Sequence, residues 1–132
     1  MIVEPLAVGF RSTLKGVVPN ELGLLPQINY PDTPGTIKNL GDTIKFTPTQ
    51  PTGTFYRGPN NTYSMQQFHF HTPSEHRLNG IDYPMEVHFV HYGPAGSSQL
   101  AVIGAFIRYG DFTSPFIKDV IVCLLFYEAK NY

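Results

Sequence analysis

The chain has 132 residues, of which 42% are hydrophobic and 14% are charged, and its formal net charge is −1. This length predicts one domain over residues 1–132, and the near-neutral charge without a basic stripe excludes nucleic acid as an expected partner. Cys123 is the sole cysteine, which excludes an intrachain disulfide, and its apolar run, 120–126, is too short to span a membrane. We expect Cys123 to be a small buried hydrophobe.

In chain order, residues 1–23 show no firm pattern, and Met1–Gly16 lacks the basic and long apolar parts of a signal peptide. Residues 24–60 are rich in proline and glycine, which predicts short strands bounded by loops. Alternating side chains in Thr43–Phe46 favour one such strand. Three longer strands are predicted at 63–71, 83–92 and 99–108.

The segment Phe112–Leu125 is predicted to be helical, with Ser114 as its N-cap and Pro115 in its first turn. The β-branched run 120–122 weakens the second half of this helix. The pattern as a whole indicates a mainly β domain with a peripheral helix.

All five histidines of the chain lie between positions 69 and 91. Alternate residues of a strand share a face, so His69 and His71 point the same way. His88 lies on the next predicted strand, and the Leu78–Tyr83 connection contains Asn79-Gly80, a signal for a tight turn. If the two strands pair through this connection, the three histidines converge.

Three imidazoles with a fourth position left for water are the usual ligands of a catalytic zinc ion. Gln67 and Glu86 each precede a candidate ligand by two residues on the same face, where they can fix the imidazole tautomers as outer-shell acceptors. A single strand histidine is more often a satisfied structural residue, and we expect His76 and His91 to be of that kind.

A second metal-binding pattern uses some of the same residues. His69, His71 and Glu75 resemble the first motif of a cupin, a small β-barrel of similar length. The second cupin motif places a histidine shortly after a Pro-x-Gly, but no histidine follows Pro94-Ala95-Gly96. This alternative is therefore disfavoured.

The runs QFHFH (67–71), SEH (74–76) and MEVHFVH (85–91) resemble the zinc-site signature of the alpha-class carbonic anhydrases, and the resemblance extends over residues 24–118. It implies an α+β, mainly β fold with a twisted, mostly antiparallel sheet and one or two peripheral helices. It also implies Zn²⁺ and reversible hydration of carbon dioxide to bicarbonate by zinc-bound hydroxide. The family further implies a secreted, periplasmic or organelle-lumen location.

By this resemblance, His69, His71 and His88 match the zinc ligands. Gln67 and Glu86 match the outer-shell partners of the first and third ligands.

Four further positions match other functional residues of the family. Glu75 matches a buried carboxylate that orients a threonine hydroxyl. Val90 and Val102 match the apolar pocket for carbon dioxide. Asp42 stands where family members carry a proton-shuttling histidine, and its ordinary pKa of about 3.9 predicts slow proton transfer at neutral pH.

The resemblance also implies that the chain is shortened, because the family continues past Tyr132 with the hydroxide-orienting threonine segment. Three interpretations stay open: a short family member, a part of a longer chain, or a non-catalytic interaction or scaffold domain. The charged share of 14% is below the usual value of about 25%. This favours a surface partly covered by a protein partner or a second chain.

Overall fold

The computed structural model describes residues 3–5, 27–56, 62–95 and 97–121. Strands dominate these ranges, and one short helix accompanies them. The strands are β1 (Val3–Pro5), β2 (Gln27–Asn29), β3 (Gly35–Asn39), β4 (Ile44–Pro48), β5 (Thr52–Tyr56), β6 (Thr62–His71), β7 (Arg77–Leu78), β8 (Ile81–Asp82), β9 (Met85–Tyr92) and β10 (Leu100–Tyr109).

Eight of the described strands form one sheet around β6 and β9. On one side, β9 pairs with β10 and β10 with β1. On the other side, β5 pairs with the first half of β6 and β4 with its second half, and these two strands carry β2 and β3. All pairings within the described residues are antiparallel, which confirms the predicted mainly β, antiparallel fold.

One face of the sheet forms the hydrophobic core. Phe68 and Phe70 of β6 lie on this face with Val87 of β9 and Ile107 of β10, and all four are buried. The ring of Phe68 stacks on Phe46 of β4 at a centroid distance of 4.9 Å. Burial of each such side chain contributes about 1.5–3 kcal/mol, so this face fixes the register of the central strands.

A β-bulge lies in β6, where the register against β9 shifts between Met65 and Gln67. Met65 and Phe68 are both buried in the core although they are three positions apart. The extra residue of the bulge shifts the alternation of side chains by one position, so that Met65 and Phe68 share the core face. Gln67, His69 and His71 then lie on the opposite face.

The predicted tight turn at Asn79-Gly80 forms, with φ values of 53° and 78°. It closes a separate two-stranded hairpin of β7 and β8, and does not directly join β6 to β9. The side chains of Arg77 and Asp82 pair across this hairpin at 2.7 Å. The two long strands still pair with each other as expected.

The helix α1 covers residues 115–121 of the described chain, so Pro115 is its first residue and Ser114 precedes it, as predicted. Residues 112–114 of the predicted helical segment are not helical. Phe116, Ile117 and Val120 pack against the core face of the sheet. Residues 122–125 of the predicted helix, and the interpretation of Cys123, lie outside the described residues. In the described part of the chain, no helix has the length and apolar character needed to cross a membrane.

Candidate metal centre

The three candidate ligands lie together on the sheet face opposite the core. His69 stands directly across from His88 in the β6–β9 pairing, and His71 follows His69 by two residues on the same face. The ring centroids of His71 and His88 are 4.5 Å apart, and those of His69 and His71 are 4.9 Å apart. A ring nitrogen of each residue lies within 4.8 Å of the other two. Strand pairing alone therefore brings these side chains to one point.

Hydrogen bonds fix the tautomers of two of these imidazoles. Nδ1 of His69 donates to Oε1 of Gln67 at 2.9 Å, and Nε2 of His88 donates to Oε1 of Glu86 at 2.9 Å. Nε2 of His69 and Nδ1 of His88 are consequently unprotonated in the neutral rings. Each has the lone pair that a metal ion requires.

The carboxylate of Glu86 is the most heavily used acceptor of the site. Its side chain is 3% exposed, and besides His88 it accepts the backbone N–H of His76 at 2.9 Å and the Nδ1–H of His76 at 2.9 Å. Burial by itself raises the pKa of Glu86, but the bonds from His76 and His88 outweigh it and lower the pKa. Glu86 is thereby held as an anion next to a candidate ligand.

Nε2 of His71 is the buried side-chain atom without a hydrogen-bond partner among the described residues. Leaving such an atom unsatisfied typically costs about 1–3 kcal/mol. A metal ion bound by His69, His71 and His88 would satisfy it, and three neutral imidazoles are a donor set that suits zinc. The described residues therefore fit a zinc ion.

Burial and the neighbouring imidazoles of His71 and His88 lower the pKa of His69 below the ordinary histidine value, and the charge of Lys45 on β4 acts in the same direction. The ring is thus held neutral near neutral pH. This matters because only the unprotonated nitrogen binds a metal.

Glu75 lies beside this cluster but differs from its expected environment. Its side chain is 56% exposed, whereas the resemblance implies a buried carboxylate. Its Oε2 is 3.6 Å from Nε2 of His71 and 3.6 Å from Nδ1 of His88. Within the described residues its neighbours are imidazoles and no hydroxyl binds it, so the threonine bond that is typical of the family has no counterpart there.

The remaining predicted site residues border the cluster. Val90 and Val102 face each other across β9 and β10, on the same face as His88, and Val102 is 50% exposed. Asp42 lies in the exposed turn between β3 and β4. The next residue, Thr43, donates its hydroxyl to the carbonyl of Phe70 at 2.6 Å, which ties this turn to the end of β6 near the cluster.

The structure adds detail to two features of the site. His76 was expected to be a structural hydrogen-bonding residue, and its partner is the same carboxylate that holds His88. Gly104 of β10 lies directly opposite His88, and a Cβ added there would come within 2.7 Å of Oε1 of Glu86. An isolated glycine inside an apolar strand was the available signal of this close approach.

The fold and the histidine cluster together place the chain among proteins with the carbonic anhydrase fold. The Photobacterium profundum alpha-carbonic anhydrase structure superposes with a TM-score of 0.63 and 32% identity, over 74% of this chain and 43% of that chain. A fungal alpha carbonic anhydrase from Aspergillus oryzae gives a TM-score of 0.64 and 33% identity, over 74% of this chain and 40% of that one.

Sequence relationships identify the family. The model of the eukaryotic-type carbonic anhydrase family matches residues 15–130, and the chain belongs to this family. A carbonic anhydrase of Nostoc sp. is 39% identical over 84 residues, which cover 64% of this chain and 30% of the relative. The matched part of the chain therefore spans less than half the length of each of these relatives.

Proposed function

We propose that this chain carries a zinc-dependent site for the reversible hydration of carbon dioxide to bicarbonate and a proton. The observation that supports this most strongly is the convergence of His69, His71 and His88, whose ring nitrogens lie within 4.8 Å of one another. Membership of the carbonic anhydrase family supports the same reaction.

In this reaction the protein side chains would hold the metal ion and fix the orientation of the imidazoles that bind it. Zinc, when bound, supplies a Lewis acid that brings the pKa of a bound water to about 7. Gln67 and Glu86 keep the ligand nitrogens of His69 and His88 unprotonated and aimed inward. Because Glu86 is itself anchored by His76, the imidazole of His88 has little freedom to rotate.

Carbon dioxide would bind, and the proton would be accepted, at the border of the histidine cluster. Val90 and Val102 offer an apolar surface of the kind that a small neutral molecule such as carbon dioxide requires. Asp42 is the candidate proton acceptor in the adjoining turn. A carboxylate is a weaker base than the imidazole that family members carry at this position, so we expect proton transfer to limit turnover.

The first experiment is to purify the 132-residue chain, measure bound zinc and follow carbon dioxide hydration by stopped flow. The hydration assay is run with and without a sulfonamide. Our proposal expects about one zinc per chain and hydration that the sulfonamide suppresses. Zinc binding without hydration would contradict catalysis and leave only the metal site.

His88→Ala tests the ligand set directly. This variant should no longer retain zinc through dialysis, because it removes one of the three nitrogens and leaves Glu86 without one of its donors. The control is His91→Gln, which removes a histidine from the same strand on the opposite face of the sheet. Circular dichroism establishes that both variants fold. Unchanged zinc content in folded His88→Ala would refute the assignment.

A second candidate function is that of a non-catalytic domain with a structural zinc site. The position of Glu75 favours it, because its Oε2 lies 3.6 Å from the two nitrogens of His71 and His88 that are free for a metal. A carboxylate as fourth ligand would close the site, and closed four-ligand zinc sites are structural.

Glu75→Gln separates the two candidates. A catalytic site in which Glu75 orients the reacting groups loses hydration in this variant and keeps its zinc affinity. A closed structural site shows no hydration in either protein and binds zinc more weakly in the variant, since an amide oxygen is a poorer ligand than a carboxylate. Glu75→Asp serves as the conservative control.

A further inference from the structure

A straight row of residues crosses five strands of the sheet through the histidine cluster. Lys38 of β3 pairs with Lys45 of β4, Lys45 pairs with His69, and His69 pairs with His88, which in turn faces Gly104. Directly opposed residues of neighbouring strands share a face. Both lysines therefore lie on the same face as the cluster, next to it.

The pairing of these two lysines is unfavourable in isolation. Like charges that stand directly opposite each other on neighbouring strands destabilise a sheet. Within the described residues, neither Lys38 nor Lys45 has a carboxylate at ion-pair distance, although Asp42 and Glu75 lie on neighbouring segments. An anion bound between the lysines and the cluster would remove this repulsion.

We propose that Lys38 and Lys45 form a cationic row that gathers small inorganic anions beside the histidine cluster. The identification of bicarbonate as the natural anion rests on the proposed function. The attraction of anions by the two lysines does not depend on it. Neighbouring strands are about 4.8 Å apart, so Lys45 is one strand from His69 and Lys38 is two strands away. Lys45 is the direct register partner of His69, so its side chain rises from the sheet beside the cluster.

The size of the effect follows from Coulomb's law. A unit charge at roughly 6 Å in bulk water changes the affinity of a monovalent anion about threefold, and one at roughly 10 Å changes it about twofold. Lys45→Gln should therefore weaken anion binding about threefold and Lys38→Gln about twofold. Both effects should fade in 1 M salt, where the Debye length is about 3 Å.

The first test uses the metal-free chain and chloride as the probe. Line broadening of the chloride-35 signal reports the residence of the ion on the protein. Broadening should fall in Lys45→Gln and Lys38→Gln but not in Lys118→Gln, which removes an equal charge from the exposed side of α1. Equal broadening in all three variants would overturn the proposal, whether or not the chain hydrates carbon dioxide.

The second test uses the cobalt-loaded chain and thiocyanate, with binding followed in the visible spectrum. Thiocyanate affinity should fall about threefold in Lys45→Gln, while the affinity of the metal-free chain for zinc, a divalent cation, should rise by up to about tenfold. A structural role for Lys45 would not move the two affinities in opposite directions. If no cobalt binds, the proposed function fails and the chloride measurement alone decides the inference.

Discussion

Gly104→Ala adds one methyl group to a crowded point of the candidate metal centre. The added Cβ would lie 2.7 Å from Oε1 of Glu86 and 3.6 Å from Nε2 of His88, the two atoms joined by a 2.9 Å hydrogen bond. Ordinary van der Waals contact begins at 3.4 Å, so the carboxylate must retreat by about 0.7 Å. Oε1 belongs to a side chain and not to the backbone, so Glu86 shifts against its hydrogen bonds from His76 and His88 while the backbone of β10 stays in place.

A retreat of about 0.7 Å directly away from the added Cβ lengthens the bond between Oε1 of Glu86 and Nε2 of His88 from 2.9 Å to about 3.1 Å, so the bond is weakened but not broken. Loss of an outer-shell partner typically costs 10–100-fold in metal affinity, which corresponds to about 1.4–2.7 kcal/mol. Because the bond is weakened and not lost, we expect zinc to bind Gly104→Ala more weakly than the unmodified chain by up to about 10-fold, the lower end of this range. The secondary structure of the metal-free protein should be unchanged, because the clash involves no backbone atom.

The assay is competition for zinc between the protein and a chromogenic chelator at pH 7.5, with circular dichroism of the metal-free chain beside it. Glu86→Asp provides the matched background, since its carboxylate is one methylene shorter and leaves room for the methyl group. In that background Gly104→Ala should cost little further affinity, which a double-mutant cycle measures as coupling. Unaltered zinc affinity in Gly104→Ala, or full additivity with Glu86→Asp, would refute the reasoning.

Three other variants test the packing, the pH dependence and the outer shell. Ile107→Ala should lower the free energy of unfolding by about 2–5 kcal/mol in a denaturant titration, because this side chain is 0% exposed, and a loss below 1 kcal/mol would contradict its place in the core. Nε2 of His91 accepts a hydrogen bond from the hydroxyl of Tyr30 at 2.8 Å, and burial lowers the pKa of His91. The folded state therefore favours the neutral imidazole. This contribution to the free energy of unfolding is complete above about pH 6.5 and declines as the pH falls below that value. His91→Gln should flatten this decline by up to about 1.4 kcal/mol per pH unit, and an unaltered profile would show that another group is responsible. Gln67→Ala removes the acceptor of Nδ1 of His69 and should weaken zinc binding about 10–100-fold in the chelator assay with little change in unfolding midpoint; equal affinity would show that Gln67 does not position the ligand.

The sequence predicts the central strands and the shared face of the histidines because both depend on the two-residue period of a strand. The segments predicted at 63–71, 83–92 and 99–108 correspond to β6, β9 and β10 within two residues. The carbonic anhydrase family was also identified correctly, since the signature around the histidines is dense and local. The roles of the individual site residues remain predictions for the experiments above.

Other features depend on contacts between residues distant in the chain, which no local pattern contains. The bulge between Met65 and Gln67 exists because the core faces of β6 and β9 must match on both sides of it. The exposure of Glu75 depends on what packs over its loop, not on its neighbours in sequence.

The amino-acid sequence thus determined which residues alternate, which strands they form and which imidazoles share a face, because a strand's period is a property of the backbone. Only the tertiary structure decided that His76 bonds the carboxylate holding His88, and that Gly104 leaves room for both. It also decided that Lys38 and Lys45 stand in the row of the cluster. These relations follow from the register between strands, which is set by packing of the whole sheet against its core.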